Sequence, residues 1–176
     1  MRPCTRRIVP AEKIIKATSL DDLLVEHAPW CRTAPNALPI HTSHLAVARA
    51  ENEALVRQIF GAFAQKRGFA LRNVFAEDAT WVVPGSGSMA GTFVGREQIF
   101  AFLGRLPKET GGTYSSALID VLASDDRAAA LYRASGERNG RRLELDQVLL
   151  FRIENGLVQE VLALPSDPAE FDRFWG

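Results

Sequence analysis

The sequence predicts an α+β domain, helices first and strands after, and three observations carry that expectation. Apolar residues recur with a helical period over residues 48–66, where Leu55, Ile59 and Phe63 form one stripe with Val56 and Phe60 beside it. Four strand-like segments then follow one another between residues 113 and 164. The links between those segments are turn signals: Ser124-Asp125-Asp126, Asn139-Gly140 and Asn155-Gly156, the last two of the two-residue hairpin type.

Each element has its own local reason. Gly68 breaks the first helix, and Phe69–Phe75 reads as a short second one. Ala79–Val83 is a strand closed by Pro84, with Gly85-Ser86-Gly87-Ser88 as a loop. Gly95 is placed to cap a third helix that carries Ile99, Phe102, Leu103 and Leu106 and is stopped by Pro107. The four strands are Thr113–Ala123, Ala128–Gly136, Arg141–Ile153 and Leu157–Leu164. Asp167-Pro168-Ala169-Glu170 then supplies an N-cap, a proline at the first helical position and a capping-box acid. The helix that follows has Phe171, Phe174 and Trp175 as its apolar side.

Composition divides the chain. All three histidines (His27, His41, His44), both cysteines (Cys4, Cys31) and five of the nine prolines fall in residues 1–46, whereas all ten phenylalanines lie beyond. The expectation is a poorly ordered tail over residues 1–46 and a compact domain over 47–176. Within the tail, Ser19 and Asp22 are placed to cap a short helix Leu20–His27, ended by Pro29. Arginine outnumbers lysine 17 to 4, as in a GC-rich gene, so part of the tail is alternatively a misassigned start. Cys4 and Cys31 match no common zinc spacing, and His41 and His44 are read as loop residues in preference to a metal pair. Arg6-Arg7 lacks the apolar stretch of an export signal, so a cytoplasmic location is expected. Twenty-one basic residues balance twenty-one acidic ones, which leaves no electrostatic footprint for nucleic acid or an anionic membrane. No apolar run approaches the ~18 residues of a membrane helix.

The Asn139-Gly140 turn sets a register, so facing residues can be counted. Arg133 faces Asp146, Tyr132 faces Gln147 and Ala130 faces Leu149. One sheet face then sets Leu143, Leu145, Gln147, Leu149 and Phe151 against Gly136, Ala134, Tyr132 and Ala130. Large against small leaves room, and helices covering such a face are expected to enclose a pocket. The other face carries Leu131, Val148 and Leu150 with an Arg133–Asp146 pair, as a sheet-to-sheet homodimer contact would.

The strand "FAEDATWVVPG", the helix "GREQIFAFLGRL", the hairpin "FRIENGLVQEV" and the terminal "DPAEFDRFW" resemble the SnoaL-like group of the nuclear transport factor two-like superfamily, which also holds ketosteroid isomerases. The resemblance spans about residues 48–176. It implies a cone-shaped, curved antiparallel sheet with a mixed edge, wrapped around helices, a central pocket and usually a homodimer. The isomerase acids do not carry over. Val83 stands where those enzymes have their base, Leu149 where they have their second aspartate, and Ile59 or Phe60 where they have a tyrosine. Ala163 or Leu164 replaces the acid that related hydrolases and cyclases use. Aliphatic carbon cannot take a proton, so isomerase chemistry of that kind is not expected.

Residues 47–176 contain no histidine or cysteine, which removes histidine bases, thiolate nucleophiles and ordinary zinc sites there. No metal and no cofactor are expected. The candidate ligand-binding residues are Trp81, Val83, Tyr132, Gln147, Leu149, Leu162 and Leu164. Trp81 is placed to stack on a ring or to fill the core, and Tyr132 and Gln147 to bond a ligand or each other. If the Asn155-Gly156 turn is tight, Glu160 lies opposite Phe151 on the pocket face, where apolar neighbours would raise its pKa. Glu160 is therefore the candidate acid/base, with a solvated edge role as its plain alternative, and Tyr132 is a second catalytic candidate. Asp120 is read as a buried partner for an arginine. The expected partner is a hydrophobic polyketide-, steroid- or terpenoid-like molecule, either bound or acted on by an isomerase, cyclase or hydrolase-type step. The alternative is a non-catalytic homodimeric binding or structural module.

Overall fold

The computed structural model describes residues 40–176, so the readings made for the short helix Leu20–His27, for Cys4 and Cys31 and for the start of the chain lie outside the described residues. Helix α1 runs from Ile40 to Ala64. It begins ahead of the expected boundary and places His41 and His44 on a helix, where the sequence reading had a loop. The reason is local: no Gly or Pro interrupts Ile40–Phe60, and Ala46, Ala48, Ala50 and Ala54 are strong helix formers. Gly68–Val74 forms a single 3₁₀ helix.

Strand β1 (Phe75–Val83) is followed by β2 (Gly91–Val94) and helix α2 (Arg96–Glu109). The sequence reading missed β2, because four residues hold too few alternations to show a period. It also stopped α2 at Pro107, yet the helix continues to Glu109. A proline in the last turn removes one backbone donor, and the carbonyls there find others. Thr110 Oγ1 donates to the Leu106 carbonyl at 2.7 Å, and the Gly112 N–H to that of Pro107 at 2.7 Å. Strands β3 (Ser115–Ala123), β4 (Arg127–Arg138), β5 (Arg141–Glu154) and β6 (Leu157–Pro165) precede helix α3 (Pro168–Trp175). Asp167 caps α3 as its sequence requires, accepting from the Glu170 N–H at 2.9 Å.

The strands form one open sheet in the order β2-β1-β6-β5-β4-β3. Only β1 and β6 run parallel; every other pair is antiparallel. Asn139 and Gly140 both adopt positive φ, 50° and 74°, as do Asn155 and Gly156 at 51° and 74°, so both hairpins close on mirror-image turns that match strand twist. Across β4 and β5, Arg133 pairs with Asp146, Tyr132 with Gln147 and Ala130 with Leu149, as counted from the turn. On the inner face Ala128, Ala130, Tyr132, Ala134, Leu143, Leu145, Leu149, Phe151 and Ile153 are all buried. Helix α1 lies on β3 and β4, α2 on β1 and β2, and α3 on β5 and β6, and their apolar sides join the inner face in one core.

The count fails in β6. Arg152 pairs with Glu160 while Ile153 pairs with Val158, so Gln159 is an extra residue, a β-bulge. One extra residue exchanges the faces of everything beyond it. Val161 and Ala163 turn inward and are buried, whereas Glu160, Leu162 and Leu164, expected on the pocket face, point outward. Glu160 faces Arg152, not Phe151.

One end of the cone is closed by α3. The Asp172 carboxylate accepts from the Ser86 N–H at 3.0 Å, the Ser86 hydroxyl at 2.8 Å and the Gly87 N–H at 3.3 Å. Those bonds, the Ser86 hydroxyl first, hold the Asp172 carboxyl below its ordinary range. Arg138 donates to the Phe174 carbonyl at 3.0 Å and lies over the Trp175 ring, while Glu109 bridges Arg105 and Arg138. Gly85 sits at φ 129°, where a Cβ would also run into the Asp172 carboxylate. Gly85→Ala should therefore destabilise the fold by about 1–3 kcal/mol in urea denaturation. The same substitution should reduce the acid sensitivity carried by Asp172. That contribution is complete above the ordinary carboxylate range and is lost as pH falls through the lowered native value.

Candidate functional site

The inner face of the sheet is apolar except along one line. Tyr132 on β4 donates its hydroxyl proton to Gln147 Oε1 on β5 at 3.0 Å, and both side chains are buried. The Tyr114 hydroxyl, at the head of β3, interacts with the hydroxyls of Tyr132 and Ser116. Small residues make the line possible: Gly136 lies against the Tyr114 backbone, where a Cβ would come within 3.4 Å of its Cα. Aromatic rings flank the line, with Phe60 5.2 Å from Tyr132 and Trp175 5.9 Å from Tyr114.

Burial dominates the electrostatics here. Loss of water pushes both tyrosine hydroxyls above their ordinary range, Tyr132 further than Tyr114. Each stays protonated and acts as a hydrogen-bond donor, not as a base. Among the described residues, the only other polar side chains that are buried are Asn52, Thr110 and Gln147, none of which ionises. Among the described residues, three buried side-chain nitrogens have no hydrogen-bond partner: Trp81 Nε1, Gln147 Nε2 and Trp175 Nε1. Trp81 stands between Phe75 and Phe102, with ring centroids 6.3 and 6.0 Å away. Val83 and Leu149 are buried on the same face. The structure thus brings Trp81, Val83, Tyr132, Gln147 and Leu149 into one core.

Glu160, Leu162 and Leu164 belong to the outer face. Arg152 Nη2 donates to Glu160 Oε1 at 3.0 Å, and this bond, with the arginine charge, holds the Glu160 carboxyl below its ordinary range. The raised pKa expected for a base on an apolar wall is reversed, because the bulge delivers the carboxylate to solvent and to a cation. Asp120 meets Arg57 at 3.6 Å as an exposed pair, not a buried one. Glu160 and Leu162 line an outer groove of about 630 Å³ with Val82, Leu122, Ala129 and Leu150. Arg133 and Asp146 close their bidentate pair farther along the same face, at 2.7 and 3.1 Å.

Residues 56–161 match the SnoaL-like domain. The chain belongs to the SnoaL-like family. An uncharacterised protein of Mycobacterium tuberculosis is 34% identical over 122 residues, which cover 69% of this chain and 93% of that one. Among solved structures, Bal32a from a soil-derived mobile gene cassette is 37% identical, covers 73% of this chain and 99% of its own, and has a TM-score of 0.71. A nuclear transport factor two-like protein of unknown function from Burkholderia pseudomallei is 25% identical, with a TM-score of 0.64 and coverage of 71% and 97%. These likenesses agree with the resemblance drawn from the sequence and with the cone fold.

Within the SnoaL-like cone, the positions where relatives were expected to carry acids or a tyrosine are hydrocarbon. Ile59, Phe60, Val83, Leu149 and Ala163 are buried in the core, while Leu164, the alternative to Ala163, is exposed. Among the described residues no group of three or more His, Cys, Asp or Glu side chains is placed to hold a metal ion. No helix among them is long and apolar enough to cross a membrane.

Sequence reasoning missed Tyr114, the partnerless nitrogen of Trp175, and Asn52. The β3–β4 pairing contains a bulge between Leu118 and Asp120, so counting from the Ser124 turn would not have set Tyr114 opposite Gly136. Asn52 donates to the Ser124 and Asp125 carbonyls at 3.0 and 3.1 Å, clamping α1 to that turn. A polar residue in a helical stripe was its only signal. Because the chain has just two tyrosines, the buried line can be read directly. Spectrophotometric titration of the native protein should show less tyrosinate than two free tyrosines give at the ordinary tyrosine pKa of 10.0. Both tyrosines should appear together on alkaline unfolding. Stability should fall as pH rises past that value, since only the unfolded chain ionises freely.

Proposed function

We propose that this SnoaL-like protein is a cytoplasmic binder that holds a hydrophobic, ring-bearing small molecule of polyketide-, steroid- or terpenoid-like character inside its cone, with no cofactor. The observation that carries the reading is the line of buried Tyr132 and Gln147 and half-buried Tyr114 crossing an otherwise apolar wall. Burying an amide or hydroxyl away from water costs about 1–3 kcal/mol per group left unsatisfied. A core built for packing alone would use hydrocarbon there. Trp81, Val83 and Leu149 supply the apolar and aromatic surface, and Tyr132 and Gln147 the orientation.

The chemistry available to such a site is hydrogen-bond donation. Neutral tyrosines stabilise an oxygen that gains charge but abstract no proton, and no buried carboxylate or imidazole stands beside them among the described residues. This favours binding over acid/base isomerisation. Family members described as polyketide cyclases share the fold at 18–20% identity, which bears on architecture alone.

We further propose a homodimer through the outer sheet face. Leu122, Leu150 and Leu164 are 62%, 40% and 39% exposed there, around the groove that Leu162 lines. An apolar patch of this kind on a neutral protein is stabilised by a second copy. Internally paired Arg133–Asp146 and Arg152–Glu160 keep its charges compensated on burial.

Native mass spectrometry on protein purified gently from its host tests both statements. A dimer carrying extra mass that is released on denaturation is the expected result. A ligand-free protein whose Tyr132→Phe variant is more stable than the original would mean that the core is sealed. Leu162→Asp should convert the dimer to monomer in sedimentation without lowering ligand occupancy per chain; a monomeric parent protein would overturn the dimer.

A further inference from the structure

The two hairpin turns are alike in backbone and opposite in surroundings. Asn139-Gly140 and Asn155-Gly156 are the only Asn-Gly dipeptides in the chain. Their φ angles nearly coincide, 50° and 74° in the first and 51° and 74° in the second, and all four residues are exposed. Among the described residues no acceptor takes the N–H of Gly140 or Gly156. Glycine has no side chain to shield that nitrogen. Once hydroxide removes its proton, it can attack the side-chain amide carbon of the preceding asparagine. A ring C–N bond forms, the amide C–N bond breaks, and ammonia leaves after taking a proton from water. A further water then opens the cyclic imide at either carbonyl, giving aspartate or isoaspartate. The deprotonated nitrogen and the tetrahedral intermediate are both anionic, so nearby cations favour the reaction and carboxylates oppose it.

The charges differ sharply between the turns. A groove of about 490 Å³ around Asn139 and Gly140 is lined by Arg138, Arg141 and Arg142, with Glu109 and Glu137 as its acids. Glu109 is already engaged by Arg105 and Arg138. The pocket around Asn155 and Gly156 is lined by Glu51 and Asp125 and by no basic residue, and Glu154, paired with Arg152, precedes the turn.

We propose that Asn139 is a self-modification site, converted through the cyclic imide to isoaspartate and aspartate, and that Asn155 is its electrostatically protected counterpart. Isoaspartate lengthens the backbone by a methylene, which a two-residue mirror-image turn does not accommodate. The arginines beside it hold α3. Arg138 Nη1 donates to the carbonyls of Phe174 and Gly176, each at 3.0 Å, and Arg141 donates to that of Arg173. Isoaspartate at this turn therefore loosens the helix that closes one end of the cone. Aspartate does not, because it tolerates positive φ as asparagine does.

The full-length protein is aged in mildly alkaline buffer and cut with a protease that cleaves after glutamate, which places the turns in peptides 138–144 and 155–160. Mass spectrometry then reads the amide-to-acid mass gain at each. Asn139 should convert about threefold or more faster than Asn155, as a unit charge at close range requires. Arg142→Gln should slow Asn139 by about twofold with Asn155 unchanged, and Glu51→Gln should speed Asn155 with Asn139 unchanged. Both substituted residues are exposed, and the untouched turn in each variant reports an intact fold. Hydrogen exchange in α3 should rise in aged protein that carries isoaspartate and stay at the parent level in Asn139→Asp. No conversion at Asn139, conversion at Asn155 that is equal or faster, or a difference that survives both substitutions would overturn the assignment. Unchanged α3 exchange in the isoaspartate form would overturn the coupling to the helix.

Discussion

The register of the β4–β5 hairpin is the constraint on which the rest of the molecule depends. Two positive-φ residues, Asn139 and Gly140, fix it, and every pairing between β4 and β5 follows by counting. That register sets Ala130, Ala134 and Gly136 against Leu149, Leu145 and Leu143 on the inner face. It also sets Tyr132 beside Gln147 in the middle of that face and Arg133 beside Asp146 on the other. A slip of one residue would bury the arginine and expose the tyrosine, at a cost no hairpin could sustain. The hydrophobic pattern and the turn therefore enforce the same answer.

Two bulges then divide the labour between the faces. The extra residue Gln159 sends Glu160 and Leu162 outward and Val161 and Ala163 inward. The irregularity at Ile119 leaves that side chain 56% exposed and lets β3 keep both Leu118 and Val121 directed at the core. The result is an inner face whose fully buried polar groups are uncharged, with the Arg138–Glu109 pair at its end beside Trp175, and an outer face that carries the Arg133–Asp146 and Arg152–Glu160 pairs. Chemistry follows from that partition. Inside, low dielectric keeps tyrosine protonated; outside, arginine keeps glutamate ionised.

The C-terminal helix completes the interior. Trp175 is fully buried and touches Tyr114, while Asp172 and Arg138 bind the same short helix to a glycine-containing loop and to the β4–β5 hairpin end. A helix of eight residues has little stability of its own, so these long-range bonds and the aromatic packing hold it in place. The interior is thus shielded at one end by an element that is docked by side-chain contacts.

Much of this was legible in the residues. Helical periodicity, the Pro84 stop, two Asn-Gly turns and the Asp167-Pro168 cap located three helices and five of six strands, and the turn at Asn139-Gly140 paired Tyr132 with Gln147 correctly. The SnoaL-like motifs supplied the cone. Short-range chemistry determines these things, since a turn or a cap is settled within a few residues. What tertiary structure decided was which face a side chain reaches once a bulge intervenes. A bulge is selected by packing on both neighbouring strands, β1 and β5 in the case of β6, and leaves no local signature. That is why Glu160 read as an interior base and stands as a surface ion pair, and why the contacts of Tyr114 with Tyr132 and Trp175 emerged only when distant segments were brought together.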